Sequence, residues 1–395
     1  MTLPSVAFLV QRIGPYHHAR LCAFAAGSGR RVTAIEFRAG DALYAWDTVR
    51  EEGGYGRIQT HSRRELFRAL DEIRPQVVVC VGYSDPEIHQ AVDWAFRRHV
   101  PLVTCSDSTY ADEPRHRIKE AFKRQIVGAF DSALVAGRRA RDYLETLGTR
   151  RDRCFQPWDV VDNEYFARGA DLVHRNPDSE RARLGLPQRY FLCVARFVAK
   201  KNLAGLIEAF AQYSGRAGTE AWSLVLSGLG PLETELRARV ASAGLESRVV
   251  FPGFLQVADL PACYGLASGF VLPSLSDQWG LVVNEAMAAG LPVVVSSRCG
   301  CVPELVREGE NGFTFDPEDT AELAACLERL AELDETRRNA MGRRSEELVG
   351  VFTPAAFAEG LESAIACAVA RRRRGVRAVT RLLFSLLSLH KPGSG

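Results

Sequence analysis

Four charged side chains stand where an α/β chain would hold a phosphorylated, hydroxyl-rich ligand. Asp277 and Glu285 are eight residues apart in the segment 273–303, PSLSDQWGLVVNEAMAAGLPVVVSSRCGCVP. Trp279-Gly280-Leu281 between them reads as a turn. Glu285 is expected to start a short helix of small residues, which Gly290-Leu291-Pro292 ends before a β-branched strand at 293–296. Both carboxylates would then face the carboxyl edge of a parallel sheet, where open α/β sheets bind ligands. Carboxylates accept hydrogen bonds from hydroxyls, so this placement suits a polyhydroxylated ligand. Upstream, Arg196 closes the strand-like run 191–196 and Lys201 follows across a loop, just before a helix from Leu203. A diphosphate placed there would meet two cations and a helix N-terminus. Preorganised cations at such a point lower the barrier to departure of a charged leaving group. Lys200, the neighbour of Lys201, is expected to be solvated.

The elements that must position these residues follow from the rest of the chain. At 395 residues it is too long for one core, and about two domains are expected. Hydrophobic residues make up 47% and charged residues 25%, which fits a soluble globular protein. The net charge of +2 implies no bulk attraction to nucleic acid. Only five of the 50 basic residues are lysine, at 119, 123, 200, 201 and 391. Ten cysteines are scattered with no C-x-x-C pair, which reads as a reduced, cytoplasmic protein with buried thiols and no metal site. The start, SVAFLV, is too short for a secretory signal, and no apolar run reaches the length of a membrane span.

Strand candidates at 6–10, 32–37, 77–81, 102–105 and 132–136 alternate with helical stretches at 18–26, 63–73, 87–97 and 115–127. This rhythm means a parallel sheet covered on both faces. The polar stretch 163–187 breaks it and reads as a linker or crossover. Alternation then restarts with strands at 191–195, 223–227, 249–251, 269–272 and 293–296, and the chain turns helical after Phe315. The fold class is therefore α/β, with two Rossmann-like doubly wound domains. The expected division is an N-terminal domain at 1–170, a C-terminal domain at 187–353, a helix at 354–370 packing back on the first, and a basic amphipathic tail at 371–395. No G-x-G-x-x-G is present, so a dinucleotide cofactor is not favoured.

Taken together, these motifs resemble the retaining glycosyltransferases of family 4, the group 1 enzymes. Their E-x-F-G-x-x-x-x-E-A-M-A-x-G-x-P-V pattern appears as Asp277, Trp279-Gly280, Glu285-Ala286-Met287-Ala288, Gly290 and Pro292-Val293. Gly300-Cys301-Val302-Pro303-Glu304 and Asn311-Gly312-Phe313 match further family segments, and Arg196 with Lys201-Asn202 matches G-R-x-x-x-x-K with Ala195 for the Gly. The resemblance implies the GT-B arrangement, two Rossmann-like domains facing across a cleft. It further implies transfer of a sugar from a nucleotide-diphosphate sugar to an acceptor hydroxyl, with retention and without a metal or other cofactor. Arg196 and Lys201 would stabilise the diphosphate, Glu285 would hold ribose hydroxyls and Asp277 hydroxyls of the transferred sugar. Gly14, Phe254, Leu255 and the backbone of Gly280, Leu281 and Val282 would complete the donor site. Ser227-Gly228-Leu229-Gly230-Pro231 resembles a family G-x-G-P loop and reads equally as a tight turn. A nucleotide-sugar 2-epimerase and a non-catalytic nucleotide-sugar-binding subunit share the fold and stand as alternatives.

In the N-terminal half, Gly14 follows the first strand and lets a backbone approach a ligand. His17 and His18 open the next helix, and Tyr83 and Asp107 follow later strands; these four are the acceptor-side candidates. Many family members have a His near the transferred sugar where this chain has 102–108, and Asp107 is the ionisable residue there. For the loops of Asp85 and Asp107, helix capping is the stronger single explanation. The tail joins four arginines, 371–374, to an apolar stretch at 376–389. Two fates are expected for it: peripheral contact with an anionic membrane at the inner face, or packing on the N-terminal domain. The acceptor is not named by the sequence.

Overall fold

The computed structural model describes residues 5–38, 53–371 and 378–387. The described chain forms two α/β units. The first takes the residues up to Val160 and those from Pro354 onward, and the second takes Val161–Thr353.

The first unit is built on β1 (Ser5–Val10), β2 (Arg31–Glu36), β3 (Gly56–Gln59), β4 (Val77–Val81), β5 (Leu102–Ser106), β6 (Ser132–Val135) and β7 (Cys154–Phe155). All pair in parallel, in the order 3-2-1-4-5-6-7. The near-continuous apolar runs of β1 and β4 follow from burial on both faces. The helices between strands are α1 (Pro15–Gly27), α2 (Arg63–Ile73), α3 (Pro86–Arg98), α4 (Arg117–Val127) and α5 (Arg138–Thr146). The strand order reverses between β1 and β4, so the loops after these two strands flank a switch point.

The second unit opens with α6 (Asn163–Val173) and α7 (Pro177–Leu184), where the sequence reads as a linker. α7 buries no residue, so it carries no apolar period to reveal it. α6 belongs to this unit, which places the division at 160/161 rather than at 170. Its Phe166 meets Tyr264 edge to face, with ring centroids 5.8 Å apart. The sheet is β8 (Tyr190–Val194), β9 (Ser223–Ser227), β10 (Val249–Gly253), β11 (Gly269–Leu272), β12 (Val293–Ser296) and β13 (Gly312–Phe315). It is parallel throughout, in the order 10-9-8-11-12-13. Around it lie α8 (Leu203–Ala217), α9 (Glu233–Ser242), α10 (Leu260–Gly265), α11 (Leu281–Ala288), α12 (Val302–Leu305), α13 (Thr320–Ala331) and α14 (Glu335–Val349). Phe191, Phe210, Tyr213 and Phe315 anchor one face of its core.

The chain returns to the first unit as α15 (Pro354–Ala370) and α16 (Ala378–Leu387). α15 buries Phe357, Leu361, Ala364 and Ile365 completely. Its Ala364 carbonyl accepts from the β6 Ser132 hydroxyl at 2.7 Å, and its Phe357 lies 5.8 Å from Trp158. α16 packs on α3, with Phe384 fully buried between His89 and Phe96 at centroid distances of 5.7 and 5.6 Å. Within the proposed tail, 372–377 and 388–395 lie outside the described residues.

Candidate active site

In the second unit the sheet order reverses between β8 and β11. The loop after β8 carries Arg196 and Lys201, and the loop after β11 carries Asp277. The two loops are tied together, with Leu275 N–H donating to the Lys200 carbonyl at 2.8 Å. Lys201 Nζ donates to Asp277 Oδ2, and each side chain keeps only 13% exposure. Burial pulls the Lys201 pKa down, but the Asp277 charge and hydrogen bond outweigh it and hold the ammonium above its ordinary range. The Ser274 hydroxyl adds a bond to the same carboxylate oxygen at 3.3 Å. Lys201 and Asp277 are therefore one ion pair in a sheet crevice, and Lys200 is exposed beside them.

Local chemistry fixes both loops. Asn202 caps α8 in the left-handed conformation, φ 52°, and its amide donates to the Pro317 carbonyl at 2.8 Å. Phe197 N–H donates to Leu229 O at 2.8 Å, so the Gly228–Gly230 turn packs directly on the β8 loop. A Cβ at Gly228 would sit 1.9 Å from the Ala195 carbonyl oxygen, and its φ is +147°. Close packing thus accounts for this glycine. Gly280, φ +99°, turns the chain into α11 at its N-cap. Leu281 and Val282 are partly exposed in the first turn of α11, and Trp279 is buried with its indole N–H on Asn284 Oδ1 at 2.8 Å.

Glu285 differs from expectation. α11 begins at Leu281, so Glu285 lies in its second turn rather than at its start. The side chain is fully buried, and its Oε2 accepts from the Tyr264 hydroxyl of α10 at 2.7 Å. Asp277 and Glu285 do not form a pair; Asp277 pairs with Lys201 instead. Phe254 is partly exposed and Leu255 buried just past β10, where Gly253 O accepts from Gly228 N–H at 2.9 Å.

In the first unit the candidates sit on the loops after β1, β4 and β5. Gly14 precedes Pro15 at the α1 N-terminus, and a Cβ there would meet nothing within 4 Å. The two histidines diverge. His18 bonds the Tyr55 hydroxyl at 2.9 Å, whereas His17 tilts against Trp158, 5.9 Å between centroids. Burial, with the Arg20 charge, pushes His17 down to about 3, so its ring is neutral at physiological pH. Asp85 caps no backbone N–H of α3; it accepts from Gln11 Nε2 at 3.1 and 3.0 Å and from Arg38 at 2.8 Å, linking the β1 and β4 loops. Tyr83 is buried, and its carbonyl contacts His89 Nε2 at 3.0 Å.

The residues that sequence reasoning missed here are Arg20 and Asp159. Arg20 donates to Asp159 at 3.2 Å and to the Val160 carbonyl at 3.0 and 3.1 Å, and its guanidinium lies 4.4 Å from the Trp158 ring centroid. The available signals were a cation on the apolar face of α1 and a single carboxylate in the run Trp158–Val161. Burial, then the Asp159 charge, push Asp107 up to about 7 from its ordinary 3.8. In the unfolded chain Asp107 ionises near 3.8, while the folded chain holds the proton to about 7. Stability therefore falls as pH rises through this window and levels off above it. Asp107→Asn is expected to flatten that fall and to raise the melting temperature at pH 8, measured as a pH series of thermal unfolding.

Among the described residues, no three His, Cys, Asp or Glu side chains cluster as a metal set. Residues 175–347 match the family described as Glycosyl transferases group 1. An alpha-D-kanosaminyltransferase of Streptomyces kanamyceticus is 32% identical over 185 residues, 42% of this chain and 47% of that protein. A D-inositol 3-phosphate glycosyltransferase of Corynebacterium glutamicum is 29% identical over 308 residues, 73% of this chain and 72% of that one. The chain spans 47% to 60% of the first three curated relatives it matches. Among solved structures, Anabaena HepE in complex with UDP and glucose superposes with a TM-score of 0.74 at 18% identity, covering 92% of this chain and 99% of that one. Sucrose-phosphate synthase from Thermosynechococcus elongatus gives 0.73 at 20%, covering 93% and 99%. Residues 175–347 thus match the group 1 glycosyl transferases, and the chain has the two-Rossmann GT-B fold.

Proposed function

We propose that this protein transfers a sugar from a nucleotide-diphosphate sugar to an acceptor hydroxyl, with retention and without a metal, as a member of family 4. The observation that carries this is the Lys201–Asp277 ion pair at the switch point of the second sheet, with Arg196 on the same loop as Lys201. A nucleoside diphosphate leaving from the anomeric carbon gathers negative charge on its bridging oxygen. Two fixed cations at the crevice would stabilise that charge, and the helix start at Leu203 would add its N-terminal dipole. Asp277, with one oxygen on Lys201, would use the other on hydroxyls of the sugar. Glu285 would need the α10–α11 packing to open before it met a ribose hydroxyl. The acceptor hydroxyl would attack from the face the nucleotide leaves.

Solved neighbours hold UDP-glucose or UDP, which supports a nucleotide-sugar donor here. The names of relatives span an inositol phosphate and a phosphatidylinositol mannoside as acceptors, so the acceptor class is open on names alone. All ten cysteines are free, as suits a reducing compartment where such donors are made. Incubation with UDP- and GDP-sugars, following free nucleoside diphosphate, tests the proposal: release that depends on an added acceptor supports it. Release is expected to survive EDTA. Complete loss, restored by Mn²⁺ or Mg²⁺, would sink the metal-free reading.

A further inference from the structure

Three residues outside the donor signature form a nucleophile, a base and a group that holds the base. All ten cysteines are free, and seven of them are buried. Cys22, Cys154 and Cys367 keep partial exposure. Cys22 lies one turn after His18 on α1, so the two side chains share one face of the helix. Its Sγ is 3.4 Å from His18 Nε2 and 3.8 Å from Nδ1. Nδ1 is engaged elsewhere, 2.9 Å from the Tyr55 hydroxyl. Among the described residues, Cys22 is the partly exposed thiol with an imidazole in reach. Cys154 meets the Arg150 carbonyl instead, at 3.7 Å, and burial pushes its thiol up to about 11.

The Nδ1–H tautomer of His18 makes this cluster a working dyad. Burial pushes the Tyr55 phenol up to about 12, so it is neutral at physiological pH. With Nδ1–H donating to the Tyr55 oxygen, Nε2 turns a lone pair toward the sulfur and can take the thiol proton. The charged groups around Tyr55 are Glu36 and Arg57, which bond each other at 2.9 Å and so largely cancel. A nucleophile within reach of a base, with the base oriented by a third group, is the arrangement that activates a thiol.

We propose that Cys22 is an activated thiol and a site of oxidation by hydrogen peroxide, with His18 as its base and Tyr55 holding that base. The thiol proton passes to His18 Nε2, and the thiolate attacks one peroxide oxygen. The S–O bond forms as the O–O bond breaks, and the leaving hydroxide takes the proton back from Nε2 to depart as water. Sulfur is oxidised to a sulfenic acid, and the peroxide is reduced. Gly53 passes so close that a Cβ there would stand 2.7 Å from Sγ. The added oxygen therefore crowds 53–55 and parts Tyr55 from His18. α1 begins after Gly14 and carries His17, so oxidation acts on the helix that bears two acceptor-side candidates. That consequence rests on the transferase reading above; the thiol chemistry does not.

Limiting iodoacetamide on the folded full chain near neutral pH, read by peptide mass spectrometry, tests the activation. Cys22 is expected to be alkylated about tenfold faster than Cys154 or Cys367. His18→Gln should slow Cys22 about tenfold and leave Cys154 and Cys367 unchanged. Tyr55→Phe, which keeps the ring, should slow Cys22 about threefold. Hydrogen peroxide followed by dimedone should label Cys22 in the wild type and leave the Cys22→Ser protein unlabelled. Cys22 reacting no faster than Cys154 and Cys367 overturns the proposal. So does unchanged Cys22 alkylation in both His18→Gln and Tyr55→Phe, or dimedone found only on another cysteine. No nucleotide sugar or acceptor enters these reactions, so their outcome is independent of glycosyl transfer.

Discussion

Lys201→Ala is expected to lower turnover by about 10²–10³-fold, the usual effect of removing a preorganised charge at a developing anion. It should also destabilise the second unit. Asp277 would keep its charge with its partner gone, and breaking a buried pair costs about 3 kcal/mol at the lower end of its range. The lower end applies because both side chains retain 13% exposure. Lys201→Ala with Asp277→Ala should therefore recover stability without recovering turnover. Denaturant midpoints and nucleotide release, measured on the same three proteins, separate the two effects. Arg196→Ala should lose turnover on the same scale, whereas Lys200→Ala, at an exposed position, should change little. Equal damage from Lys200→Ala and Lys201→Ala would overturn the assignment of this loop.

Arg20→Met should be the most destabilising single change in the first unit, by about 3–5 kcal/mol. Arg20 and Asp159 keep 3% and 6% side-chain exposure, and the guanidinium also serves the Val160 carbonyl and the Trp158 ring. Methionine fills similar space but removes the positive charge that pairs with Asp159 and also acts on Asp107. Asp159→Asn in the same background should restore part of the loss, because it removes the buried charge that Arg20 balanced. Thermal or urea unfolding checks both variants. An Arg20→Met protein as stable as the wild type would show that the carboxylate finds another partner.

The signature loops were legible because strands end in polar residues where the sheet opens, and both spacing and turn chemistry survive in one dimension. Lys201 and Asp277 were each visible, but their direct pairing depends on β8 and β11 being neighbours, which no local pattern states. The burial of Glu285 escaped for the same reason: its partner Tyr264 stands on a different helix. Asp85 looked like a helix cap from its place before Pro86, yet it serves Gln11 across the switch point. The edge strand β3 carries no apolar alternation, and α7 has no buried face, so neither announces itself. In α4 the stripe at 118, 122 and 126 reads as an ordinary core helix, and only its exposure shows that half of it has no core to join.

The return of α15 to the first unit has a consequence for how the molecule is made. β6 and Trp158 acquire their covering helix only from residues that follow Thr353. During synthesis the whole of 161–353 leaves the ribosome before that helix exists. The uninterrupted second unit can close while the first still exposes an apolar face, so the part begun earlier is the part completed last.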